Sequence, residues 1–186
     1  MRKLACVLFG LSVLASCGAP AERYAVNPPA VTQNQRIIFG AVELREVSLP
    51  AYAASDEIAL RDATGLVSSE GAVLWADTPD RAIALELSRH LVQITRARVA
   101  SSPWPFETPP DARVDLRFET LIAGADGRYH ATGQYFVAVS DGGRERSGLF
   151  DLSVPFDPEA GPPAIAAARG QIILDLAEFL ARDGLR

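Results

Sequence analysis

Arg113-Val114-Asp115-Leu116-Arg117-Phe118-Glu119-Thr120-Leu121-Ile122 is the stretch on which the fold turns. Val114, Leu116, Phe118, Thr120 and Ile122 alternate with Arg113, Asp115, Arg117 and Glu119, a period of two that gives a strand one dry and one wet face. Downstream, Asp126-Gly127 supplies a turn into a second strand, Tyr129 to Val139, and Asp141-Gly142-Gly143 a turn into a third, Arg144 to Val154. Short Asp-Gly turns between alternating strands make an antiparallel meander.

The period changes on either side of the meander. From Pro162 to Arg182, Ile165, Ala168, Ile172, Leu176 and Phe179 or Leu180 fall on one stripe of a helix. Upstream, Thr78-Pro79-Asp80 reads as a helix start, with threonine as N-cap, proline at the first position and an acid in the first turn. Ile83, Leu87, Leu91 and Ile94 then keep helical spacing to about Arg98. Between that helix and the meander, Ser101 to Pro110 is a stiff loop, because its prolines lack an amide hydrogen and have a fixed φ.

Further toward the N-terminus the stretches read as strands: Arg23 to Val26, Ile37 to Leu44 with Pro50 beyond it, Glu57 to Arg61, and Ala72 to Trp75 after a Ser-Ser-Glu-Gly turn. One apolar sheet face and two amphipathic helices of similar length have a natural arrangement. The expected fold is α+β, a two-layer sandwich of a mainly antiparallel sheet with two long helices on one face. No internal repeat and no second domain are visible.

Ahead of this domain, basic Arg2 and Lys3 precede an apolar run from Leu4 to Ala15 and the small residues Ser16, Cys17 and Gly18, the layout of an export signal. About a dozen apolar residues fall short of the roughly 20 needed to span a bilayer. Residues 1–16 are therefore expected to be a cleaved signal peptide, 17–22 a tether and 23–186 a single domain. Leu14-Ala15-Ser16-Cys17 resembles the bacterial lipobox, in which the cysteine sulfur takes a diacylglyceryl group before cleavage; ordinary cleavage nearby or an uncut signal are the alternatives. Two or three acyl chains bind a membrane far more firmly than one. Of the chain's 2 cysteines, Cys6 would be discarded with the signal, so the mature domain relies on its core and not on disulfides. With 48% apolar residues it has the composition for one. Losing Arg2 and Lys3 takes the formal charge from −5 to about −7, and no basic cluster remains to hold nucleic acid or anionic headgroups.

The residues offer no catalytic or cofactor motif. No H-E-x-x-H, G-x-S-x-G, P-loop or dinucleotide fingerprint occurs, so neither metal nor cofactor is expected and the chain does not read as an enzyme. His90 reads as a residue at the edge of the apolar stripe and His130 as facing solvent or a partner. Asp56 with Glu57, and Glu43 with Glu46, read as solvated charges and not as acid-base pairs. Trp75, just before the helix cap, reads as core. Trp104, between prolines and close to Phe106, is either a lid on the core or an anchor for a partner.

In order and spacing, the lipobox Leu14 to Cys17, Arg23-Tyr24, Val47-Ser48-Leu49-Pro50-Ala51-Tyr52, Glu57 to Arg61, Leu74-Trp75-Ala76-Asp77 and Ser102-Pro103-Trp104-Pro105 resemble the auxiliary lipoprotein family of ABC-type transporters. The resemblance spans nearly the whole chain. It implies a non-catalytic lipoprotein anchored through Cys17 at the periplasmic face of the outer membrane. It also implies a partner, an inner-membrane permease complex bearing MCE domains, with which phospholipid or other lipid crosses the periplasm. Trp104 and Phe106 are the candidate contact residues. A homo-oligomer would suit a ring-shaped partner, although no residue specifies one. The alternative is a free-standing envelope lipoprotein that itself binds lipid or a small hydrophobic ligand between sheet and helices.

Overall fold

The computed structural model describes residues 20–140 and 142–186. It has the expected two-layer α+β architecture, with two long helices packed on one face of an eight-stranded sheet. The strands are β1 (Glu22–Tyr24), β2 (Ala41–Ser48), β3 (Glu57–Arg61), β4 (Val67–Trp75), β5 (Arg98–Ser101), β6 (Ala112–Gly124), β7 (Arg128–Val139) and β8 (Arg146–Pro155). The helices are the single turn α1 (Ala51–Ala54), α2 (Pro79–Thr95) and α3 (Pro162–Phe179).

β6, the strand that carries the alternating stretch, is the spine. One edge pairs antiparallel with β7 from Ala112 to Ala123, and β7 pairs antiparallel with β8, so the meander forms as read. The other edge of β6 is shared. Its first half pairs with β2 and its last residues with β3, both parallel to it. α1 fills the gap between them, and the backbone N–H of Leu121 donates to the Tyr52 hydroxyl at 3.4 Å. The sheet is therefore mixed: β1 beside β4 and β5 beside β2 are parallel too, and β3 with β4 is antiparallel.

Glu119 is an extra residue in the β6–β7 ladder, which passes from Phe118 opposite Gly133 to Thr120 opposite Thr132. A bulge of this kind shifts the inward phase of a strand. Here Leu121, Ile122 and Ala123 are all buried, and the strict alternation ends. Gly133 is required by the same feature, since a Cβ there would collide with the Arg117 carbonyl and lie 2.7 Å from Phe150 and 2.9 Å from the Phe118 Cα.

α2 starts at Pro79 as expected, with Ile83, Leu87, Leu91 and Ile94 buried. Thr78 holds the N-cap position, but its side chain makes no capping bond. The helix ends earlier than its periodicity implied, because Arg96 turns left-handed at φ 63 and Arg98 opens β5. α3 buries Ile165, Ala168, Ile172 and Leu176 and passes into a π-helical turn, Leu180–Gly184, with Leu180 also buried. Burial continues around α3 to Ile173, Leu174 and Ala177, because the helix is enclosed on several sides. At Gly170 the Val26 side chain crosses so closely that an added Cβ would lie 2.9 Å from it.

Two strands sit elsewhere than the sequence implied. Ile37 to Leu44 was the expected span, yet the strand runs Ala41–Ser48, because the Asp111 carboxylate accepts the N–H groups of Gly40 and Ala41 at 2.8 and 2.9 Å and fixes its start. Ile37 and Phe39 still pack against the core from the approaching segment. Ser68-Ser69-Glu70-Gly71 is strand and not turn, since β4 begins at Val67. The turn lies at Asp62 to Leu66, where one Asp62 carboxylate oxygen accepts from the Thr64 N–H, the Thr64 hydroxyl and the Leu66 N–H.

Candidate functional site

The loop from β5 to β6 carries the two aromatics singled out by sequence. Trp104 and Phe106 meet edge to face with centroids 4.9 Å apart. The Trp104 indole N–H donates to the Thr108 carbonyl at 2.8 Å, and the Arg98 guanidinium lies 5.2 Å from the Phe106 ring centre. The Ser102-Pro103 peptide is cis. Phe106 is 41% exposed and Trp104 half-buried. The loop thus holds its aromatic pair through its own bonds and Arg98, beside the starting end of β6. Preset aromatic surface with its polar atoms already satisfied is the kind that anchors a partner at low ordering cost.

A second cluster was not visible in the sequence reading. Arg169, 2% exposed in the middle of α3, donates from Nη2 to Glu86 of α2 at 3.0 Å, and its guanidinium lies 4.6 Å from the ring centre of Trp75. Trp75 is buried, as expected of a core tryptophan. Among the described residues, Arg169 Nε and Glu86 Oε2 have no hydrogen-bond partner. Burial raises the Glu86 carboxyl above its ordinary value, and the charge and hydrogen bond of Arg169 offset only part of that rise. Burial likewise pushes the Tyr129 phenol far up, against the pull of Arg169. The signal available in the sequence was a lone arginine amid Ala164 to Leu174, otherwise almost wholly apolar.

The remaining sequence candidates are dispersed. His90 is not a boundary residue: it is 1% exposed, because α2 buries more of its circumference than the stripe implied, and neither ring nitrogen has a partner among the described residues. His130 is half-buried with Nε2 2.8 Å from Asp126. Glu43 is not a solvated charge; it is 7% exposed and accepts from Arg113 at 3.1 Å across the β2–β6 ladder, next to Arg45 paired with Asp115. Glu57 accepts from the Ser69 hydroxyl. Among the described residues no three His, Cys, Asp or Glu side chains stand close enough together to hold a metal ion. No helix of the described residues is long and apolar enough to cross a membrane. Cys17 lies outside the described residues.

Where β3 and β6 finish, the sandwich opens into a cleft of about 460 Å³ between β3, β4 and the start of α3. Ile58, Leu60, Val73, Phe156, Pro162 and Ile165 give it a mainly apolar wall. Leu60 and Val67 are each 38% exposed and Leu66 63% exposed on the adjoining β3–β4 hairpin.

The backbone resembles two crystal structures. One, of a protein from Xanthomonas campestris, superposes with a TM-score of 0.70 at 19% identity over 89% of this chain and 95% of the other. The other, of an uncharacterized protein, gives 0.68 at 15% identity over 87% and 99%. At these identities the likeness concerns the fold. A search of curated proteins returns no match. The sequence pattern of the ABC-type transport auxiliary lipoprotein component matches residues 24–181, from the last residue of β1 to the π-helical turn after α3. The chain belongs to the ABC-type transport auxiliary lipoprotein family.

Proposed function

We propose that this chain is a non-catalytic accessory subunit of an ABC-type envelope lipid transport system. Acyl chains on Cys17 hold it at the periplasmic face of the outer membrane, and the loop of Trp104 and Phe106 docks an MCE-domain partner that carries phospholipid. The family match over residues 24–181 carries this reading. Its division of labour is supported by geometry: the chain enters β1 from the end of the sheet where β3 and β6 finish, while the aromatic loop adjoins the end where β6 begins. At about 3.3 Å per residue those ends stand roughly 40 Å apart. An anchor at one end and a docking surface at the other leave both free to act at once. A ring-shaped partner would be met by several copies of the chain side by side.

The test is affinity capture of the acylated full chain from membranes in mild detergent. An MCE-domain protein should be recovered with the wild type and lost with Trp104→Ala, while thermal melting of the variant stays near that of the wild type. Recovery of no such partner by the wild-type protein would overturn the reading.

A further inference from the structure

We infer that the β3–β4 hairpin tip is a lipid-contacting surface that inserts into the bilayer beside the anchor, a step that rests on acylation of Cys17. β1 runs parallel to β4, with Glu22 opposite Val73 and Tyr24 opposite Trp75, so the chain ahead of Glu22 approaches from the side where β4 begins. β4 begins at Val67, immediately after the hairpin turn. The five residues from Cys17 to Glu22 extend at most about 18 Å. β4 is bulged between Leu74, opposite Glu57, and Ser69, opposite Ala59, so from Leu74 back to Val67 it advances only the length of Glu57 to Arg61 in β3, about 13 Å. An extended tether of that length can therefore bring the acylated cysteine level with the hairpin tip, and the membrane can stand little farther off than that.

What the tip presents is suited to hydrocarbon. Leu66 is 63% exposed, Val67 and Leu60 each 38%, and the apolar cleft opens beside them. The Asp62 carboxylate is occupied by the turn itself, accepting from Thr64 and from the Leu66 N–H, and these bonds hold it below the ordinary carboxylate range despite some desolvation. With the N–H groups of Asp62, Thr64, Gly65 and Leu66 bonded within the turn, an apolar side chain can project into lipid with few backbone donors stranded. Arg61 is the one basic residue of the hairpin from Glu57 to Trp75, so contact would depend on apolar burial and not on anionic lipid.

The experiment uses the acylated full chain in vesicles of three parts phosphatidylethanolamine to one part phosphatidylglycerol. Leu66→Cys, and separately Phe106→Cys, carry an environment-sensitive fluorophore on the new thiol, and doxyl-labelled lipid serves as quencher. Quenching at position 66 should exceed that at position 106 at least threefold and should not change when phosphatidylglycerol is omitted. Mass spectrometry of the N-terminal peptide separates the two failures. An unacylated Cys17 would overturn the anchoring and this inference together, whereas acylated protein quenched equally at both positions would overturn the inference alone. Protection of position 66 only on adding the transport partner would assign the tip to protein contact and also overturn it.

Discussion

Arg169 and Glu86 show how much one buried charge can demand of its surroundings. Arg169 cannot lose its charge, and with 3% of its side chain exposed it has little water to lean on. Removing it leaves a raised but still ionisable carboxyl in the same site. Arg169→Leu is therefore expected to cost about 3–5 kcal/mol in urea denaturation, and Arg169→Leu with Glu86→Gln to recover most of that, since the pair then leaves no charge behind. His90 poses the opposite case. Burial and neighbouring Arg89 hold its pKa below the ordinary 6.5, so between the folded value and 6.5 the unfolded chain binds more protons than the folded one. Stability is then present above about pH 6.5 and lost as pH falls below it, by at most about 1.4 kcal/mol per pH unit from this group. His90→Leu should remove that slope; the check is the difference between the urea midpoints of variant and wild type from pH 7.5 to 5.

At the scale of elements, the β6 bulge makes the sharpest demand. Gly133→Ala puts a methyl into the Arg117 carbonyl and the Phe118 backbone, neither of which can move without opening the ladder. We expect a loss of about 1–3 kcal/mol, read by chemical denaturation. The elements that depend on local chemistry were legible: Pro79 and the four apolar residues after it define α2, and Asp126-Gly127 defines the β6–β7 turn. Those that depend on distant partners were not. Ile37 to Phe39 are as apolar and β-branched as the strand that follows, and only Asp111, some seventy residues away, decides where pairing starts. Ser68 to Gly71 look like a turn because they are small and polar, but they face solvent on a strand held by β3, with the real turn closed by Asp62. The parallel joining of β2 and β3 to one edge of β6 has no local signature at all. The aromatic loop was found because proline and tryptophan are conspicuous; Arg169 with Glu86 was missed because they lie 83 residues apart on two helices.

For the molecule as a whole, the proposed function makes position matter more than chemistry. Cys17→Ala is expected to leave the domain folded, with an unchanged circular dichroism melt, and to move it from the membrane to the soluble periplasmic fraction. Envelope lipid transport should fall with it, and full transport by that variant would show that anchoring is dispensable. Trp104→Ala should act in reverse, keeping membrane fractionation while partner recovery drops about thirtyfold, the scale of a 2 kcal/mol contact.

The attachment of β1 has a mechanical consequence. A pull between the anchor and a docked partner would run along the strands, so that β1 slides lengthwise past β4 and its bonds are loaded together instead of peeling one after another. Only three residue pairs join these strands, but Arg23 also donates to the Trp75 carbonyl and the Ala76 N–H to the Tyr24 carbonyl, so the grip extends into the turn before α2. Were the chain anchored and docked as proposed, this short lap joint would be the first place tension from the membrane meets the sheet, and it would set how hard a moving partner can tug before the domain begins to unravel.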